Sequence, residues 1–92
     1  MAIRILIPTP LQKLIGNQPE VEISREVNVI GLIDELNTQY PGVKERICDE
    51  NGTLRKFINI YVNGEDIRFL EGDKTDIPDG AEVSIVPAIA GG

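Results

Sequence analysis

Residues 57–64, Phe57-Ile58-Asn59-Ile60-Tyr61-Val62-Asn63-Gly64, decide the reading of this chain. The first six are β-branched or aromatic at all positions but one, a composition that suits a pleated, half-buried surface. Asn63-Gly64 is the dipeptide that favours a two-residue hairpin turn. A strand over 57–62 is therefore expected, with residues 67–69 as its short return partner. Alternation puts Ile58, Ile60 and Val62 on one face and Phe57, Asn59 and Tyr61 on the other.

Working towards the N-terminus, Asn28 can cap a helix, and Val29, Leu32, Ile33, Leu36 and Tyr40 recur at three- and four-residue spacing. Gly31 weakens this helix by about 1 kcal/mol relative to alanine, and Pro41-Gly42 ends it. Residues 43–47 suit one further helical turn. Earlier still, Ile3, Ile5 and Ile7 alternate with Arg4 and Leu6, and Val21 and Ile23 repeat the pattern after Gly16-Asn17. A first hairpin is predicted, with Leu11, Leu14 and Ile15 of its long connection folding back onto the core. Towards the C-terminus, Asp79-Gly80 forms a turn and residues 82–86 a last strand, with Val83 and Ile85 on one face.

The order is hairpin, helix, hairpin, last strand, which predicts an α+β fold of the β-grasp, or ubiquitin-like, type: a mixed sheet of four or five strands with one main helix on one face. Residues 1–87 form the domain and residues 88–92, Ala88-Ile89-Ala90-Gly91-Gly92, a flexible reactive tail.

Composition restricts what this domain does. Fifteen acidic residues against nine basic ones give a net charge of −6, which opposes binding to a phosphate backbone and argues against a nucleic-acid partner. The chain has no histidine, and so lacks the commonest general base near neutral pH. With no evident catalytic constellation, a free-standing enzyme is not expected, and neither is a bound cofactor. The single cysteine, Cys48, cannot form an internal disulfide or by itself hold a zinc ion or an iron–sulfur cluster. No apolar run is long enough to span a membrane and no cleavable signal pattern is present, so the expected location is the cytoplasm.

Residues with other readings are better explained structurally. Cys48 has no histidine or resolving cysteine beside it. Glu65-Asp66 is expected to be a solvated hairpin tip. Glu71, Asp73, Asp76 and Asp79 lack the twelve-residue calcium pattern, and Asp76 and Asp79 read as turn formers.

The tail carries the chemistry. Two terminal glycines arise by chance in about 0.5% of chains at average glycine usage, and a backbone without Cβ atoms can enter a narrow channel. An α-carboxyl group with a pKa of about 3.3–3.7 is ionised at neutral pH and can attack the α-phosphorus of ATP to give an acyl-adenylate. Gly92 is thus the candidate covalent attachment point, and Ala90, Gly91 and Gly92 the segment a partner recognises. Parity along the strands places Leu6, Phe57, Tyr61 and Val86 on the outer sheet face. Together with Ile89 they form a candidate partner interface, which burial beneath the connections or interruption by Arg4 and Ser84 would cancel.

The run Phe57, Asn59-Ile60-Tyr61-Val62-Asn63 and Glu65-Asp66-Ile67-Arg68-Phe69, then Asp79-Gly80 and the ending Pro87-Ala88-Ile89-Ala90-Gly91-Gly92, resembles the MoaD/ThiS family of sulfur carriers. Within that family it is most similar to the CysO-type carriers of cysteine biosynthesis. The resemblance implies that an activating adenylyltransferase/sulfurtransferase uses ATP to convert Gly92 to a thiocarboxylate, with sulfur from a persulfide. It further implies a pyridoxal-phosphate-dependent cysteine synthase that consumes the sulfur, and a metalloprotease that releases the cysteine. The ATP and pyridoxal phosphate belong to the partner enzymes. Sulfur supply for molybdopterin, lysine modification through Gly92, and a binding module with an idle tail are the other readings.

Overall fold

Alternating isoleucines and valines build the first two strands, β1 (Ile3–Leu6) and β2 (Glu20–Ile23), which pair antiparallel with Ile5 opposite Val21. The computed structural model describes residues 2–24, 27–56 and 58–87. Between these strands the chain folds into a short helix, α1 (Thr9–Gln12), and a 3₁₀ turn over Lys13–Ile15. Leu11 and Ile15 are buried there and Leu14 partly so, as their spacing predicts.

The two-residue strand β3 (Val27–Asn28) leads directly into the main helix, α2 (Val29–Gln39). The Asn28 side chain accepts a hydrogen bond from the Gly31 N–H at 2.8 Å, satisfying one donor that the first turn leaves open. A Cβ on Gly31 would lie 3.3 Å from both Asn28 Oδ1 and Val27 Cβ. The helix-weakening glycine is thus what allows the helix to start tight against its own cap. Val29, Leu32, Ile33 and Leu36 bury one face of α2. A third short helix, α3 (Val43–Ile47), follows through Gly42, whose φ of 104° suits glycine. Asn37 Oδ1 joins the two helices by accepting from the N–H groups of Gly42 and Lys44 at 3.1 and 3.2 Å.

Strand β4 (Ile58–Val62) turns through Asn63 and Gly64, at φ of 51° and 86°, into β5 (Glu65–Asp66). Positive φ at both central residues is the twist-matched hairpin geometry the dipeptide predicts. Here the structure corrects the expected return strand: it is residues 65–66, and Ile67–Phe69 is a 3₁₀ turn. Asp66 causes the change, because its carboxylate accepts from the Arg68 N–H at 2.9 Å and draws the backbone out of the ladder while Ile67 plugs into the core. A second correction concerns Asp76, expected in a turn. It lies in β6 (Asp76–Ile77), which pairs with β3 as a separate two-stranded sheet, whereas Asp79 does occupy a turn.

The last strand, β7 (Glu82–Pro87), runs parallel to β1 and antiparallel to β4, so the main sheet has the order β2-β1-β7-β4-β5. This is the mixed five-stranded β-grasp. Ile3, Ile5, Ile58, Ile60, Val83 and Ile85 on its inner face form one core with the buried face of α2.

Asn63 ties the hairpin to β7. Its N–H donates to the Glu82 carbonyl at 2.8 Å, and its side-chain oxygen accepts from the Glu82 N–H at 3.0 Å. Asn63→Ala loses the second bond and places an alanine at positive φ, so a loss of about 1–2 kcal/mol is expected in denaturant unfolding.

Candidate functional site

Strand β7 fixes where the tail leaves the domain. It lies between β1 and β4, and its last residue, Pro87, pairs with Ile58 at the start of β4. The strand is paired with β1 over residues 82–84 and with β4 over residues 83–87, so the root of the tail lies against the start of β4. Gly92, Gly91, Ala90 and Ile89, and Phe57 of the proposed interface, lie outside the described residues.

On the outer sheet face the register brings the other predicted interface residues together. Ser84 of β7 is opposite Leu6 on one side and Tyr61 on the other, and Val86 is opposite Asn59 one step nearer the tail. Leu6 and Tyr61 are half-buried, while Val86 is 42% exposed. The connections therefore leave at least part of this face open. Ser84 does interrupt it, standing between the two larger side chains. Arg4 sits at its far end, beside Glu82 at 3.4 Å and Glu20 at 3.8 Å, and so closes the apolar row with an ion-paired cluster.

At the β5 side, Asp66 and Arg68 form a 2.7 Å ion pair. The hydrogen bonds from Arg68 hold the Asp66 carboxyl below the usual carboxylate range. Together with the Arg68 N–H bond, this fixes the 3₁₀ turn and displays Phe69, which is 86% exposed, followed by Leu70 at 42%. Sequence reading placed Phe69 in a strand and missed this. The available signal was Asp66 two residues before Arg68, an acceptor placed to cap a turn.

Cys48 is 4% exposed. Burial pushes its thiol pKa up, against the opposing pull of the Lys44 ammonium, so the group is a core thiol and not a ready nucleophile. Among the described residues no group of three or more His, Cys, Asp or Glu side chains is placed to hold a metal ion, and no helix is long and apolar enough to cross a membrane. What the described residues present is a five-stranded sheet, a partly apolar outer face, and a last strand, β7, that leads towards residues 88–92.

Comparison with known proteins agrees in sequence and in shape. The model of the ThiS family matches residues 5–92. The sulfur carrier protein CysO of Mycobacterium tuberculosis (strain H37Rv) is 43% identical over 94 residues, with 100% of both chains covered. A chain in the crystal structure of the BexX/CysO complex of Amycolatopsis orientalis has a TM-score of 0.89 and 37% identity, covering 99% of this chain and 100% of that one. The solution structure of small archaeal modifier protein 1 from Methanosarcina acetivorans has a TM-score of 0.80 and 34% identity, with 99% and 96% covered.

Proposed function

The chain belongs to the ThiS family, and from that membership we propose that it is a sulfur carrier of the CysO type whose C-terminal Gly92 becomes a thiocarboxylate. The observation that carries the reading is the full-length identity of 43% to a sulfur carrier protein, which spans both the body and the ending Ala90-Gly91-Gly92.

The chemistry follows from the carboxylate. Ionised at neutral pH, it attacks the α-phosphorus of ATP held by the activating enzyme, and pyrophosphate leaves. A persulfide sulfur then attacks the acyl carbon and AMP leaves, giving an acyl disulfide. A thiol cleaves its S–S bond, so that the thiocarboxylate departs and a disulfide remains on the donor side. Every catalytic group belongs to the partners. This chain supplies the electrophilic carbon and the surface by which it is recognised. In the destination we favour, a pyridoxal-phosphate-dependent cysteine synthase joins this sulfur to an activated serine and a metalloprotease releases the cysteine from the carrier's end.

A second reading, a modifier that forms isopeptide bonds with lysines through Gly92, draws support from the 34% identity to small archaeal modifier protein 1. Both fates begin at the same acyl-adenylate. Incubating the purified chain with ATP and the activating enzyme of its host, with either a persulfide donor or lysine-bearing protein, separates them: the carrier reading expects thiocarboxylate at Gly92, and formation of branched Gly-Gly lysine adducts alone rejects it.

The outer face enters through Tyr61. A carboxylate introduced there must be desolvated on docking, so Tyr61→Asp is expected to raise the Kd for the activating enzyme about tenfold or more. Titration calorimetry showing the same Kd as the unmodified chain would remove this face from the interface.

A further inference from the structure

The groove beside Pro87 breaks the charge pattern of the molecule. The chain as a whole is at −6, yet this groove at the tail root is lined by Arg46 of α3 and Arg55, against one acid, Glu45. Pro10, Leu11, Ile58 and Pro87 supply its apolar lining. Arg55 is held in place by Nε and Nη2, which donate to the Glu45 carbonyl at 3.2 and 2.9 Å. A carbonyl fixes the guanidinium without neutralising it. Arg46 is exposed, and its side chain forms no ion pair among the described residues. Elsewhere among the described residues Arg4, Lys44 and Arg68 are each paired with a carboxylate, whereas Lys13, Lys56 and Lys74 stand singly without an ion pair. Two arginines without a carboxylate partner among the described residues thus line one groove where the tail begins.

Resting on the sulfur-carrier reading, we propose that Arg46 and Arg55 form a cationic collar that docks carboxylate side chains at the mouth of the activating-enzyme channel into which the tail passes. Distance favours protein carboxylates over the nucleotide. A five-residue segment drawn out in a channel spans up to about 17 Å, so phosphates that meet Gly92 lie far beyond the reach of side chains at the root. Screening favours a local contact, because the acidic remainder of the molecule is felt only over a Debye length of about 8 Å at physiological salt. Charge complementarity at the rim would orient the carrier and speed its encounter without taking part in the chemistry.

The test is ATP–pyrophosphate exchange by the host's activating enzyme as a function of full-length carrier concentration. Arg46→Glu is expected to raise KM for the carrier by about fivefold to tenfold with kcat unchanged, and added salt to shrink the difference. Glu45→Gln is expected to lower KM. Lys74→Glu makes the same change in net charge away from the groove and leaves KM as it was. Unchanged KM in both groove variants overturns the collar. A fall in kcat at constant KM overturns it in favour of contact with the nucleotide. A lower KM for Arg46→Glu overturns it in favour of a groove that holds the chain's own terminal carboxylate. If the unmodified carrier supports no exchange at any concentration, the sulfur-carrier reading itself fails and the collar with it.

Discussion

A chain ending at Ala90 is expected to take up no sulfur while unfolding at the same denaturant concentration as the full-length protein. The loss is complete because the reacting group has moved as well as changed: without Gly91 and Gly92 the new carboxylate is two residues short, up to about 7 Å of extended chain. Misplacement by even 1 Å can cost about a hundredfold in rate. A Cβ on the new terminal residue adds a clash wherever the channel was shaped to glycine. The fold is not expected to share this sensitivity. Among the described residues the core cluster and sheet register that hold the domain together are built without Gly91 and Gly92. Matching midpoints with abolished loading, read by urea unfolding and by mass after incubation with the activating system, is the expected pair of results. Sulfur uptake by the shortened chain contradicts the assignment of Gly92, and a large drop in midpoint contradicts the division between body and tail.

The opposite pattern is expected for Leu36→Ala. Leu36 is fully buried, on the face of α2 that joins the core cluster. Removing its isobutyl group forfeits transfer free energy and leaves a cavity, a loss of about 2–5 kcal/mol. A domain of this size has about 5–14 kcal/mol in total. At about 4–8 °C of Tm for each kcal/mol, the variant should melt at least 8 °C or so lower, which calorimetry reads directly. Below its own midpoint it should still accept sulfur, because the tail and the outer face are untouched. A midpoint within a degree of the parent would mean that α2 is not the helix that closes the core.

How far these features were legible depends on the range over which each is encoded. Asn63-Gly64 specifies its turn by itself, since both positions need positive φ, and the structure shows φ of 51° and 86° there. Asn28 and the spacing of Val29, Leu32, Ile33 and Leu36 likewise mark the main helix from within. Residues 67–69 misled because period-two reasoning counts side-chain polarity and not the competition between the Asp66 carboxylate and the backbone for the Arg68 N–H. The sheet of β3 and β6 escaped notice because two-residue strands, Val27–Asn28 and Asp76–Ile77, are too short to show any period. At the site, strand parity alone places Leu6, Tyr61 and Val86 on one face. The groove at the tail root could not be read this way, because Leu11, Arg46, Ile58 and Pro87 are brought together only by the tertiary fold.

The central claim is that Gly92 carries sulfur, and intact-mass analysis of the protein isolated from its native host tests it most directly. A population heavier by one oxygen-to-sulfur exchange is expected, localised to Gly92 by fragmentation, with a further population bearing one added cysteine if the cysteine destination is right. An unmodified terminus under every growth condition, or Gly92 found only in isopeptide bonds to lysines, would contradict it.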